Sequence, residues 1–202
     1  MSKSLKNVLI CVGVILLVVA GIYRFYAGNY NRMVELDEAV SSQWAQVQNQ
    51  YQRRMDLIPN LVSTVKGFAA HESDVYTKVA EARSRAGGVV NIDSSVLEDP
   101  EKFAEYQKIQ NDLGASLQRL LVVSENYPEL KADQNFLSLQ NELEGTENRI
   151  SVERKRFNDA VKVYNGFIRQ FPRNMIASSG GFLPKQYFTA AADAQSAPKV
   201  EF

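Results

Sequence analysis

The sequence predicts an all-α fold: an N-terminal transmembrane helix, an antiparallel up-and-down four-helix bundle of long helices, and an irregular C-terminal tail. Three observations carry this prediction. Residues 7–23 contain no charge, and residues 8–22 are almost wholly aliphatic. From Phe136, steps of seven give Leu143, Ile150, Phe157, Tyr164 and Phe171, an unbroken apolar seam. The six prolines, at 59, 100, 128, 172, 184 and 198, leave most of the chain free of helix breakers. Apolar residues recurring at helical spacing mark one face of a helix, and a seam of this length spans about 54 Å, which requires other helices alongside. The predicted organisation is a membrane anchor over residues 1–27, with its helix at 7–26, a bundle over 28–172, and a tail over 173–202.

Composition narrows the function classes. Of 202 residues, 45% are hydrophobic, enough for a substantial core. Lysine plus arginine equals aspartate plus glutamate at 23 each, so no broad basic field exists and a nucleic-acid partner is not expected. Cys11, inside the apolar run, is the only cysteine, which excludes a disulfide framework.

The N-terminal run reads as a single membrane span. Its uncharged length of about 26 Å falls slightly short of a 30 Å hydrocarbon core. Lys3 and Lys6 can snorkel on one side, and Tyr23, Phe25 and Tyr26 suit the opposite interface. A cleavable signal peptide ending at Val18-Val19-Ala20 is the competing reading. Lys3 and Lys6 set against Arg24 and Arg32 favour an internal N-terminus, which places the bundle outside the bacterial cytoplasmic membrane.

The first bundle helix begins after Gly28, with Tyr30, Val34, Val40, Trp44, Val47 and Tyr51 on one face. Pro59 predicts its end, through a turn at residues 56–59, because proline lacks a donor and disfavours helix just before it. One long helix kinked at Pro59 is the rival reading. The second face is Ile58, Leu61, Val65, Phe68, Val75, Val79 and Ala82, ended by Gly87-Gly88. Asp99-Pro100-Glu101 signals the start of a third helix: a cap, a proline at the first helical position, and an acid at the positive end. Its face is Phe103, Tyr106, Leu113, Leu117, Leu120 and Tyr127. Pro128 ends it, and the seam helix follows from about Leu130 to Phe171. Trp44, Phe68, Leu117 and Ile150 are expected to be buried.

These residues also resemble a known family. Arg53-Arg54-Met55-Asp56-Leu57-Ile58-Pro59-Asn60-Leu61-Val62 and Val65-Lys66-Gly67-Phe68-Ala69 are similar to LemA family signatures, as are Glu125-Asn126-Tyr127-Pro128 and Glu144-Gly145-Thr146-Glu147-Asn148-Arg149-Ile150. The closing Ala197-Pro198-Lys199-Val200 continues the resemblance, and Trp44-Ala45 departs from the more usual Trp-Ser. The resemblance implies a bacterial single-pass membrane protein with a four-helix bundle. It brings no enzyme activity, cofactor or catalytic residue.

The residues themselves point to no catalytic, cofactor or metal site. His71 is the lone histidine; Phe68 stands where a di-metal bundle needs glutamate, and Val75 where H-E-x-x-H needs its second histidine. Four polar residues interrupt the apolar seams: Asp37, Glu72, Gln110 and Glu153. With a turn at Pro59 all four fall roughly 10–17 Å from the membrane end, forming one candidate buried polar layer. Buried carboxylates there would hold a cation, share protons or recruit Arg149 and Arg156.

The functional expectation is a membrane-tethered interaction or scaffold protein, with the lipid bilayer, further copies of itself and other membrane proteins as partners. The alternative is an extracytoplasmic sensor-like domain binding a small ligand or ion in the bundle core. Phe182, Leu183, Tyr187 and Phe188 form a candidate interaction segment. The fourth helix returns the chain to the membrane end, and four large apolar side chains in seven residues seek burial.

Overall fold

A computed structural model describes residues 3–69, 72–89 and 92–189, and every element among them is helical or extended coil. Helix α1 runs from Lys3 to Phe68 without interruption, 66 residues or about 99 Å. Its first part is exposed, apolar and long enough to cross a membrane. Its second part is the backbone of the bundle.

No turn occurs at residues 56–59; Pro59 lies inside α1. The buried residues explain why. Met33, Leu36, Val40, Trp44, Val47, Tyr51, Met55, Ile58, Leu61 and Val65 follow one another at steps of three or four straight past the proline. Pro59 sits off this stripe, on the exposed side, where water can satisfy the carbonyl it leaves free. Breaking the helix would surrender the burial of Ile58, Leu61 and Val65, each worth about 1.5–3 kcal/mol. The two faces expected for separate helices are one face.

The reversal comes instead after Phe68, where Ala69 N–H still bonds Val65 C=O and Glu72 N–H bonds Ala69 C=O. Phe68, at the end of the rod, is 39% exposed rather than buried. Helix α2 (Ser73–Gly87) descends along α1, burying Tyr76 in place of the expected Val75. A 3-10 turn (Ser94–Glu98) follows, then α3 (Pro100–Val123), which rises against α2. Asp99 caps α3 as expected, accepting from the amides of Glu101 and Lys102. The helix expected from Leu130 is split: α4 (Pro128–Ala132) is a single turn, and Asp133 caps a new start by accepting from Phe136 N–H. Helix α5 (Gln134–Ile168) then descends antiparallel to α1, burying Phe136, Leu143, Ile150, Phe157, Val161 and Tyr164. The order is up, down, up, down.

The tail is not wholly irregular. Helix α6 (Arg173–Gly180) packs across α1 and α5, and Gly181 closes it at φ 77°. Residues 182–189 then run extended. Seam residue Phe171 lies beyond the end of α5 and is exposed.

Two apolar cores stack along the bundle. One joins Met33–Tyr51 of α1 to Phe103, Tyr106, Phe157 and Tyr164, together with Val96, Leu97, Ile176 and Phe188. The other joins Met55–Val65 to α2, the upper half of α3, Phe136 and Leu143. Because α2 stops with Gly87 beside Met55, it does not reach the first core. There the 3-10 turn, α6 and the extended segment complete the packing.

The continuous rod makes a direct prediction. Pro59→Ala restores an amide donor inside an unbroken helix, so it should stabilise the protein by up to about 3 kcal/mol in thermal or denaturant unfolding. A loss of stability would mean that the proline terminates a helix.

Candidate functional site

The extended segment is held by α5 through its main chain. Asn158 Nδ2 donates to Phe188 C=O at 2.9 Å, and Asn158 Oδ1 accepts from Phe188 N–H at 2.9 Å. One heptad later, Asn165 repeats the pattern on Lys185, at 2.8 and 2.9 Å. The two spacings agree. Seven helical residues rise about 10.5 Å and three extended residues about 10 Å, so one helix face can read an extended chain at every third residue. Gln186 N–H bonds Leu97 C=O at 2.7 Å, Tyr164 OH donates to Leu183 C=O at 3.0 Å, and Gln107 Nε2 donates to Thr189 C=O at 2.6 Å. Backbone groups that a sheet would satisfy are here satisfied by side chains.

Two side chains of the segment plug into the bundle. The Phe188 ring lies 6.1, 5.0 and 5.4 Å from the rings of Trp44, Phe103 and Phe157, and the Arg154 guanidinium covers it at 4.5 Å. Lys185, 7% exposed, pairs with Asp37 at 3.0 Å and Glu98 at 2.7 Å. Burial acts to lower the Lys185 pKa, but its hydrogen bonds to Glu98 and Asp37 and their charges outweigh that and hold it raised. Burial, and then the charges of Asp37 and Glu98, raise the Tyr164 pKa, so its hydroxyl remains a donor.

The predicted interaction segment is therefore half consumed by its own chain. Phe188 is buried, and Phe182 stands edge-on to Tyr30 at 5.3 Å. Leu183 and Tyr187 face outward, 52% and 40% exposed.

The single polar layer does not exist. With α1 continuous, Asp37 and Glu72 are separated by about 46 Å of helix, at opposite ends of the bundle. Asp37 meets Lys185, whereas Glu72 accepts from the Tyr127 hydroxyl at 3.2 Å. Glu153 recruits Arg156, one of the two arginines anticipated, at 2.7 Å. Gln110 is buried and accepts from Arg54 at 2.6 Å; the same guanidinium bonds Gln110 C=O at 3.0 Å and pairs with Glu147 at 3.2 Å. Arg54 and Lys185 are the charged residues that sequence reasoning missed. Arg54 lies on the α1 stripe, three residues after Tyr51 and four before Ile58, so an unbroken frame would have found it. Lys185 carries no such signal. His71 lies outside the described residues, and among those residues no three His, Cys, Asp or Glu side chains gather as metal ligands.

Asn158→Ala and Asn165→Ala each remove two hydrogen bonds to the segment, worth about 1–3 kcal/mol, so amide exchange over residues 183–189 should accelerate about 5- to 150-fold. Lys185 adds a pH dependence. Its pKa is raised on folding, so its contribution is complete below the unfolded value of about 10.4 and is lost as pH rises through the folded value. Protease protection of the segment should hold at neutral pH and fail in that alkaline range; Lys185→Met should abolish the transition there.

Comparison with known proteins supplies the family. The LemA family model matches residues 43–202. Magnetosome protein MamQ 2 of Paramagnetospirillum magneticum is 28% identical over 177 residues, covering 79% of this chain and 64% of that protein. Magnetosome protein MamQ of Magnetospirillum gryphiswaldense is 26% identical over the same shares of both chains. Protein LemA of Metamycoplasma hominis is 23% identical over 158 residues, covering 78% of this chain and 68% of its own length. The match to the MamQ proteins thus spans just under two thirds of their length. The family model takes in the whole bundle above Gln43, the α5 asparagines and the docked segment, and the chain belongs to the LemA family.

Proposed function

We propose that the protein is a membrane-anchored interaction module that acts by contact rather than by catalysis, with a second copy of itself as its first partner. One observation carries this reading: the bundle holds residues 182–189 by their main chain while Leu183 and Tyr187 face outward. A segment held this way presents side chains on a rigid support, which lowers the ordering cost of an interface. Phe171 and Met175, which lie in the chain between α5 and the segment, are exposed apolar side chains as well. Anchoring by the start of α1 confines copies to one plane and raises their effective concentration, so a modest contact area suffices. The bundle stands outside the bacterial cytoplasmic membrane in this reading, supported by Lys3 and Lys6 before the span and by the bacterial sources of its relatives. Other membrane proteins sharing that surface are further partners.

The test is the size of the full chain in mild detergent. A discrete oligomer is expected, and Leu183→Asp with Tyr187→Asp should reduce it to smaller species while helical content stays unchanged. A wild-type monomer, or an oligomer indifferent to both substitutions, would overturn the reading.

A further inference from the structure

Beyond Thr189 the groove between α3 and α5 widens, among the described residues, into a cleft of about 620 Å3. The two helices stand apart there, and α1 supplies the floor through Tyr51 and Arg54. Its volume falls in the ordinary range for small-molecule sites, about 300–1,000 Å3.

The chemistry of the walls is divided. Leu117 and Leu121 on α3 face Leu143 and Ile150 on α5, giving one apolar part. The other part is rich in donors. Arg54 is 3% exposed, yet its carboxylate partner, Glu147, is a half-exposed residue at the rim of the same cleft. A buried guanidinium offers five N–H donors and needs compensation for each. Among the described residues Arg54 Nε has no acceptor, and neither does the neighbouring donor Gln110 Nε2. Both side chains belong to the cleft wall, and both are more than nine-tenths buried. Arg154 brings a second guanidinium to the mouth, where the groove passes from the docked segment into the cleft.

We propose that this cleft binds a small monocarboxylate with an apolar body, its carboxylate paired with Arg54 and its body against the leucine walls. A planar carboxylate matches the guanidinium edge that Glu147 touches at Nη1, and it brings an acceptor oxygen for Gln110 Nε2. Glu147 holds the place of that carboxylate in the free protein. It reaches Arg54 from the rim with a single 3.2 Å contact, and the incoming ligand displaces it. The Gln110 amide, which already lies against the guanidinium, turns its free nitrogen to the second ligand oxygen.

The full-length protein in lipid nanodiscs, titrated with 3-phenylpropionate and with its neutral amide, tests this directly. Saturable binding of the carboxylate is expected, with the amide at least about tenfold weaker, since a charge-assisted pair is replaced by a neutral one. Glu147→Gln, which removes the internal competitor, should tighten the carboxylate by about tenfold. Arg54→Gln should abolish binding. If that variant fails to fold, Gly114→Leu serves, because a Cβ at Gly114 meets only Arg54 Nη1 at an ordinary 3.6 Å and the added side chain fills the cleft. Absence of saturable binding, equal affinity for acid and amide, or unchanged affinity in Glu147→Gln would each overturn the proposal.

Discussion

The structure depends on one constraint: the apolar stripe of α1 passes Pro59 without changing face. That continuity makes α1 a rod from the apolar span to Phe68, and it sets the height every other helix must cover. Helix α5 covers most of it, with 35 residues. Helix α2, with 15, does not. The bundle is therefore a helix short in its half nearer the apolar span, and the chain repairs the deficit with a 3-10 turn, α6 and an extended segment. The asparagine ladder follows from that repair. An extended chain packed on a helix brings unpaired amides and carbonyls into a partly buried setting, and Asn is a side chain that can serve both groups of one residue.

Arg54 marks the junction between the two cores. The lower one is aromatic, with Trp44, Tyr51, Phe103, Tyr106, Phe157 and Phe188 in contact; the upper one is mainly aliphatic. A buried charge at that boundary costs several kcal/mol to desolvate, and its hydrogen bonds to Gln110 and its pairing with Glu147 offset part of this. Burial, first, and then the neighbouring Tyr51 raise the Tyr106 pKa, so its hydroxyl stays neutral, while the guanidinium lies over the Tyr51 ring at 5.0 Å. Two buried charges among the described residues thus stand in separate places, Lys185 in the lower core and Arg54 at the junction. Asp37, Glu98 and Lys185 fasten the segment, and Arg54, Gln110 and Glu147 line the cleft.

Much of the fold was legible because long helices write their burial into the sequence. The α5 heptads, the Asp99-Pro100-Glu101 cap, the α3 face and the up-and-down order all follow from spacing. Pro59 misled because its backbone effect is local, whereas the stripe that outweighs it spans Met33–Val65. Treating Ile58 as the start of a new face, rather than the next step after Met55, moved the first turn by a dozen residues. The polar layer failed for the same reason, since its heights were counted from that turn. The functional segment was legible only in part. Four large apolar residues signalled adhesion, but which of them face inward depends on Asn158 and Asn165, polar residues on a helix face otherwise read as apolar. A match between helix rise and strand rise has no signature in either segment alone.

The packing of every other element follows from the continuity of α1, and one distance measures that continuity most directly. Spin labels at Glu38 and Lys66, both exposed, are separated by 28 residues of the same helix. Double electron–electron resonance should give about 42 Å between the backbone positions, the rise of an unbroken α-helix over that interval. A helix that turned back at Pro59 would bring the labels to within about 20 Å, and a distance near that value would contradict the account.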